Sequence, residues 1–239
     1  MPPNSVSKNE RYLALKRSDL FGGLSDAKLS EIVQQTTLVT WRKGRSVAAE
    51  DIKTELHFII SGRVKNTQLN RETGRAITLF LLGPGDIFDI LYLLDGKPSN
   101  VLFEASDDVA LLTMPMTAAH RWIMQHPAFN RVFLPYIGKA MRALENLSSD
   151  LALYDTETRL AHLIVRHLDG ETHNSLSLIN DMSHESLAEM IGSVRSVVNR
   201  QLQNWRKQGI ISMHNGHITL KRLEILLEKT NSLISNHKS

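Results

Sequence analysis

The amino-acid sequence predicts an α+β chain: an N-terminal antiparallel β-roll, then a long helix, then a C-terminal winged helix-turn-helix. Three observations predict it. Between about Leu38 and Met114, short β-rich runs alternate with glycine-marked turns, as in an antiparallel sandwich or barrel. After Pro127 the apolar residues recur at spacings of three and four, the period of an amphipathic helix. From Met182 to Leu220, two helical stretches around a glycine are followed by two short β runs. The expected division is 1–126 for the N-terminal helices and β-roll, 127–154 for the long helix and 155–239 for the C-terminal domain.

Composition narrows the function classes. With 239 residues, 42% hydrophobic and 22% charged, the chain has material for a real core. The net charge is only +3, so any nucleic-acid contact must come from a local patch. Cysteine is absent, which excludes Cys-ligated iron–sulfur clusters, thiolate zinc sites and thiol switching. The N-terminus carries no apolar signal core, and no run approaches the ~20 apolar residues of a membrane span. The chain therefore reads as cytoplasmic, with no membrane partner.

Residues 5–37 read as helix in pieces, broken at Asp19–Leu24, with Ser25 as N-cap of a helix whose apolar face is Leu29, Ile32 and Val33. The β runs are Thr37–Trp41, Leu56–Ile60, Val64–Leu69, Ala76–Leu82, Val101–Glu104 and Ala110–Thr113. In the long helix Leu134, Ile137, Met141, Leu144, Leu147 and Leu151 form an a/d-like seam. That seam fits either a homodimer or a helix packed on its own sheet. Thr156–Asp169 reads as helix, Gly170–Ser175 as a polar loop and Leu176–Ile179 as a short strand.

Met182–Ile211 carries the functional argument. Ser183 is placed to cap a first helix that Gly192 ends, where a left-handed turn is cheap. A second helix follows from about Val194 to Gln208, with Val198, Leu202 and Trp205 inward and Arg195, Ser196, Asn199, Arg200 and Gln203 on the complementary face. This is the helix-turn-helix arrangement. In the major groove, Arg can bind the two acceptors of guanine and Asn can bind adenine. Ser183 and His184, at the start of the first helix, are candidates for the DNA backbone. The Ile210–Ser212 and Ile218–Leu220 hairpin, around His214-Asn215-Gly216-His217, would be the wing. A bland alternative is an ordinary helix pair with a solvated basic face.

In this order, β-roll, long helix and winged helix-turn-helix, the chain resembles the superfamily of the cyclic-AMP receptor protein and the fumarate–nitrate reduction regulator. LHFIISGRVK resembles its strand–Gly–strand hallmark, and GPGDIF the turn that opens its ligand cassette. LALYDTETRLAHLI resembles its hinge, with Asp155 at the hinge itself, and SHESLAEMIGSVRSVVNRQLQNWRKQGII its helix-turn-helix, especially that of the nitrogen-control regulators. The resemblance implies a cyclic-nucleotide-binding-like jelly roll, a homodimer, a palindromic promoter site in double-stranded DNA, and RNA polymerase as partner if the protein activates. Arg195 and Arg200 match the family's recognition helix, whereas Ser196 stands where many members have Glu.

The cassette departs from the cyclic-nucleotide pattern. Phe88-Asp89 replaces the Gly-Glu pair that holds the ribose, Ser99-Asn100 replaces the Arg-Ser pair that holds the phosphate, and no Arg lies between Arg75 and Arg121. A buried phosphate without a cation is strongly disfavoured, so the expected effector is not cyclic AMP, and side chains such as Phe88 and Leu91 would fill the pocket instead. A haem reading rests only on His57, better explained as a structural histidine, and on Pro2, which resembles an N-terminal ligand of the family's haem branch. Whether an effector or cofactor exists stays open. Enzyme signatures are missing: no His pair with Glu as in a metal cupin, no P-loop, no nucleophile elbow. The remaining rival is a ligand- or haem-binding sensor module with little DNA binding of its own.

Overall fold

The computed structural model describes residues 7–18, 20–169, 176–214 and 216–230. The chain forms two compact units, Met1–Arg75 with Leu79–Leu144, and Glu145–Ser239 with Ala76–Thr78. Among the described residues no helix is long and apolar enough to cross a membrane.

The first unit opens with α1 (Lys8–Arg17) and α2 (Asp26–Gln34). A capping box starts α1: Ser7 Oγ accepts from the Glu10 N–H, and the Glu10 carboxylate accepts from the Ser7 N–H. Ser25 precedes α2 as expected, but its side chain makes no cap bond. Leu29, Ile32 and Val33 are the buried face of α2.

The β-roll follows as β1 (Thr37–Trp41), β2 (Ser46–Ala48), the short helix α3 (Ala49–Ile52), β3 (Glu55–Ser61), β4 (Val64–Leu69), β5 (Ala76–Leu82), β6 (Ile87–Phe88), α4 (Ile90–Asp95), β7 (Leu102–Ala105) and β8 (Val109–Pro115). These strands make two four-stranded sheets, ordered β1-β8-β3-β6 and β2-β7-β4-β5. The pairs β1–β8, β8–β3, β3–β6, β2–β7 and β7–β4 are antiparallel. Gly62, between β3 and β4, has φ +81°, and a Cβ there would meet the Asp108 carbonyl oxygen at 2.6 Å. Only glycine fits that turn.

Helix α5 (Met116–Gln125) leads into the long α6 (Pro127–Leu153). Phe129 and Phe133 of α6 are buried in the core with Phe21, Phe58 and Trp122, and Ile137 packs partly against it. Further along, Met141, Leu144 and Leu151 are exposed, as is Leu134. Its first turns cover the β-roll, and Met141 and Leu144 stand exposed beyond them.

The second unit continues with α7 (Thr156–Arg166), α8 (His184–Met190), α9 (Arg195–Lys207), the antiparallel pair β9 (Ile211–His214) and β10 (His217–Leu220), and α10 (Leu223–Lys229). Two expectations need correction. Helix α7 stops at Arg166, and Leu168 instead bridges to Leu176. Leu176–Ile179 is not a strand: after that single bridge the chain turns, with Leu176 and Ile179 buried. The expected loop Gly170–Ser175 and the turn residue Asn215 lie outside the described residues.

Candidate nucleic-acid interface

Two helices and a turn build the candidate interface. Ser183 caps α8, its Oγ accepting from the Ser186 N–H at 3.1 Å. Leu187, Ala188 and Met190 bury the inner face of α8. The helix ends in a Schellman arrangement: Ser193 N–H donates to Ala188 O and Gly192 N–H to Glu189 O, with Gly192 at φ +59°. The same device ends α9, where Ile210 N–H donates to Trp205 O and Gly209 N–H to Arg206 O. Two glycines in left-handed conformation thus set the lengths of both helices.

Val198, Leu202 and Trp205 on α9 are fully buried. Each contributes about 1.5–3 kcal/mol by leaving water. Trp205 Nε1 donates to Glu157 Oε1 at 3.1 Å, and Lys229 pairs with the same carboxylate at 2.7 Å. Burial works to raise the Glu157 carboxyl, but the Lys229 ammonium and the Trp205 N–H outweigh it and hold it below the usual carboxylate range. This carboxylate ties α9 to α7 and α10. Glu157 carries no local sequence signal of this role, although a tryptophan on a buried stripe signals that its N–H needs an acceptor.

With that stripe turned inward, Arg195, Ser196, Asn199 and Arg200 are exposed on the outer face and Gln203 is half-buried. Neither Arg195 nor Arg200 forms an ion pair among the described residues. The cap residue of α9 is Val194, which offers no side-chain acceptor. The first backbone N–H groups of α9 therefore have no cap, and such groups favour anions. Ser183 is exposed and His184 half-buried. The wing closes with His214 opposite His217, and the loop before α8 is pinned to it by the Ile218 N–H donating to Asn180 Oδ1 at 3.1 Å.

The expected effector region is arranged differently from its sequence reading. The Gly83–Asp86 turn is tied to α6: the Tyr136 hydroxyl donates to Asp86 Oδ1 and accepts from the Ile87 N–H, both at 3.2 Å. Phe88 is fully buried, its ring stacked on His57 at 4.7 Å and packed against Phe103 at 4.7 Å and Trp41 at 5.6 Å. Asp89 is 5% exposed, has φ +67°, and neither carboxylate oxygen finds a partner among the described residues. Burial pushes its carboxyl up to about 6 and the neighbouring His57 imidazole down to about 4. Ser99 is half-buried and Asn100 exposed in the following loop. Leu91 does not fill a pocket as expected, because it is 61% exposed. The left-handed Asp89 starts α4 so that Leu93 points inward and Leu91 and Leu94 outward. Trp41, His57 and Phe103 are what surround Phe88. Pro2 lies outside the described residues, and no cluster suited to a metal ion occurs among those described.

Residues 38–126 match the model of the cyclic nucleotide-binding domain, and residues 158–229 that of the Crp-like helix-turn-helix domain. A CRP-like cAMP-activated global transcriptional regulator of Mycobacterium tuberculosis is 25% identical, covering 90% of this chain and 97% of that one. A global nitrogen regulator of Nostoc is 27% identical, over 72% of this chain and 79% of its own. Among solved structures, a mutant of CooA from Carboxydothermus hydrogenoformans superposes with a TM-score of 0.70 at 22% identity, covering 84% of this chain and 90% of that one. That likeness shows a shared fold.

Proposed function

Because the chain belongs to the CRP/FNR family of helix-turn-helix transcriptional regulators, we propose that it binds a palindromic promoter site as a homodimer, with α9 in the major groove. The observation that carries this reading is the outer face of α9: Arg195 and Arg200, without an ion pair among the described residues, lie exposed with Ser196 and Asn199 on the helix whose opposite stripe is buried. Arg200 reads guanine, Asn199 contacts adenine or phosphate, and Arg195 enters with the helix N-terminus. Gln203 borders the same face, and Ser183 and His184 lie toward the backbone. Residues 1–126 form the sensor region, 127–154 the dimerisation helix and 155–239 the DNA-binding domain.

The dimer is supported by Leu134, Met141, Leu144 and Leu151, which stand exposed on α6, and by the need to pair two recognition helices about one DNA turn apart. RNA polymerase is the further partner if the protein activates.

The effector is not cyclic AMP on this reading. Phe88-Asp89 and Ser99-Asn100 provide no guanidinium, and an aromatic cluster occupies the roll around Phe88.

Selection of binding sites from random duplex DNA at one fixed salt concentration tests the proposal. A recovered palindrome with two equal half-sites is expected. Recovery of no motif, with affinity that tracks salt alone, would refute it.

A further inference from the structure

Helix α6 and helix α7 are joined through only Tyr154 and Asp155, yet a buried carboxylate binds them together. Asp150, near the C-terminal end of α6, is 7% exposed. His162 of α7, 1% exposed, donates from Nδ1 to Asp150 Oδ1 at 2.6 Å, and the Arg166 guanidinium donates to Asp150 Oδ2. The Tyr154 ring packs edge-on against His162 at 4.9 Å. His162 and Arg166 are four residues apart and so share one face of α7. One carboxylate with a donor on each oxygen fixes both the rotation and the axial register of that face. Asp155 caps α7 through Thr158 N–H and so sets where the helix begins.

Desolvating such a group makes it a weak source of stability, and its best-attested use is to specify one geometry among several. Here the geometry passes onward. Glu157, on the same helix α7, accepts from Trp205 on α9. The end of the long helix is thereby linked to the recognition helix through α7 by hydrogen bonds at both joints.

We propose that Asp150 is a positioning residue that sets the distance and angle between the two recognition helices, and hence the half-site spacing the protein accepts. The proposal rests on the dimeric, palindrome-binding reading above. Adding one base pair between half-sites moves the second by about 3.4 Å and about 35° around the duplex. A rigid joint resists that displacement, and a loosened one follows it.

The test uses the full chain and palindromes built from its own selected half-site, with centre-to-centre spacing varied by one and two base pairs at constant salt. Wild type should prefer one spacing by about tenfold or more. Asp150→Ala should reduce that preference to less than about threefold while keeping the same half-site sequence. His162→Asn, which keeps an N–H near the Nδ1 position, should retain the preference, and His162→Leu should lose it. Arg166→Met, at a partly exposed position that leaves the His162 bond in place, provides a folded variant if Asp150→Ala does not fold, and should weaken the preference. If wild type shows no preferred spacing, the dimeric reading fails and the proposal with it. If wild type discriminates and Asp150→Ala or Arg166→Met discriminates equally well, or merely binds every spacing more weakly, the dimer stands and the role of Asp150 is overturned.

Discussion

A Cβ on Gly192, in the turn between α8 and α9, would lie 2.5 Å from Leu151 Cδ2 on α6. With φ +59° the position is also costly for any side chain. Gly192→Ala should therefore cost about 1–3 kcal/mol of stability. Because the clash involves a side chain, Leu151→Ala should couple to it. The double variant should be more stable than the sum of the two single losses predicts, as read by urea denaturation of all four proteins.

The exposed residues of α6 carry the dimer prediction. Replacing Met141 and Leu144 together by Glu would set like charges against their mates across a two-fold axis. The double variant should sediment as a monomer and lose most of its affinity for the palindrome. A dimer of unchanged affinity would remove Met141 and Leu144 from the interface.

Arg195 and Arg200 lie about 140° apart around α9 and about 7.5 Å apart along it, so they cannot play the same part. Arg200→Ala should cost about 1–3 kcal/mol and relax selectivity at one base pair in each half-site. Arg195→Ala should instead weaken all sites alike and reduce the salt dependence. An unchanged motif for Arg200→Ala in site selection would make Arg200 a phosphate clamp.

Asp89 yields a pH prediction. In the unfolded chain its carboxyl titrates near 3.9, in the fold near 6 because of burial. Between those values the folded state holds the extra proton, so this residue's contribution to stability falls as pH rises and is fully lost above about 6. Asn tolerates the left-handed backbone of this site. Asp89→Asn should be more stable than the parent by about 2–3 kcal/mol at pH 7, with the gain vanishing near pH 4. His57, held neutral by burial, loses stability as pH falls from about 6.5 toward about 4, but does so in both proteins and cancels in the difference. An advantage for Asn that persists at pH 4 would mean that titration of Asp89 is not its source.

What was legible in the sequence was what repeats along it. The stripe Val198, Leu202, Trp205 reveals α9 and its outer face because the helical period is local. The longer strands show for the same reason. Strands β2 and β6, of three and two residues, are too short for any alternation and exist because Val47 pairs with Phe103 and His57 with Phe88. The mistaken strand at Leu176–Ile179 has the opposite cause: Leu176 and Ile179 supply an apolar run, but their spacing of three serves a turn. The direction of Leu91 depends on one dihedral angle, that of Asp89, which composition does not encode. The joint at Asp150 was invisible because its partners lie 12 and 16 residues away on another helix.

The chain holds three tryptophans, and the fold distributes them usefully. Trp41 sits among the β-roll aromatics beneath Arg45, and Trp122 donates to Gln35 beside His126. Trp205 is the one in α9, its indole N–H bound to a carboxylate. With Trp41 and Trp122 replaced by Phe, the emission of the remaining indole would report on the seating of α9 alone, giving that helix an intrinsic fluorophore that needs no label.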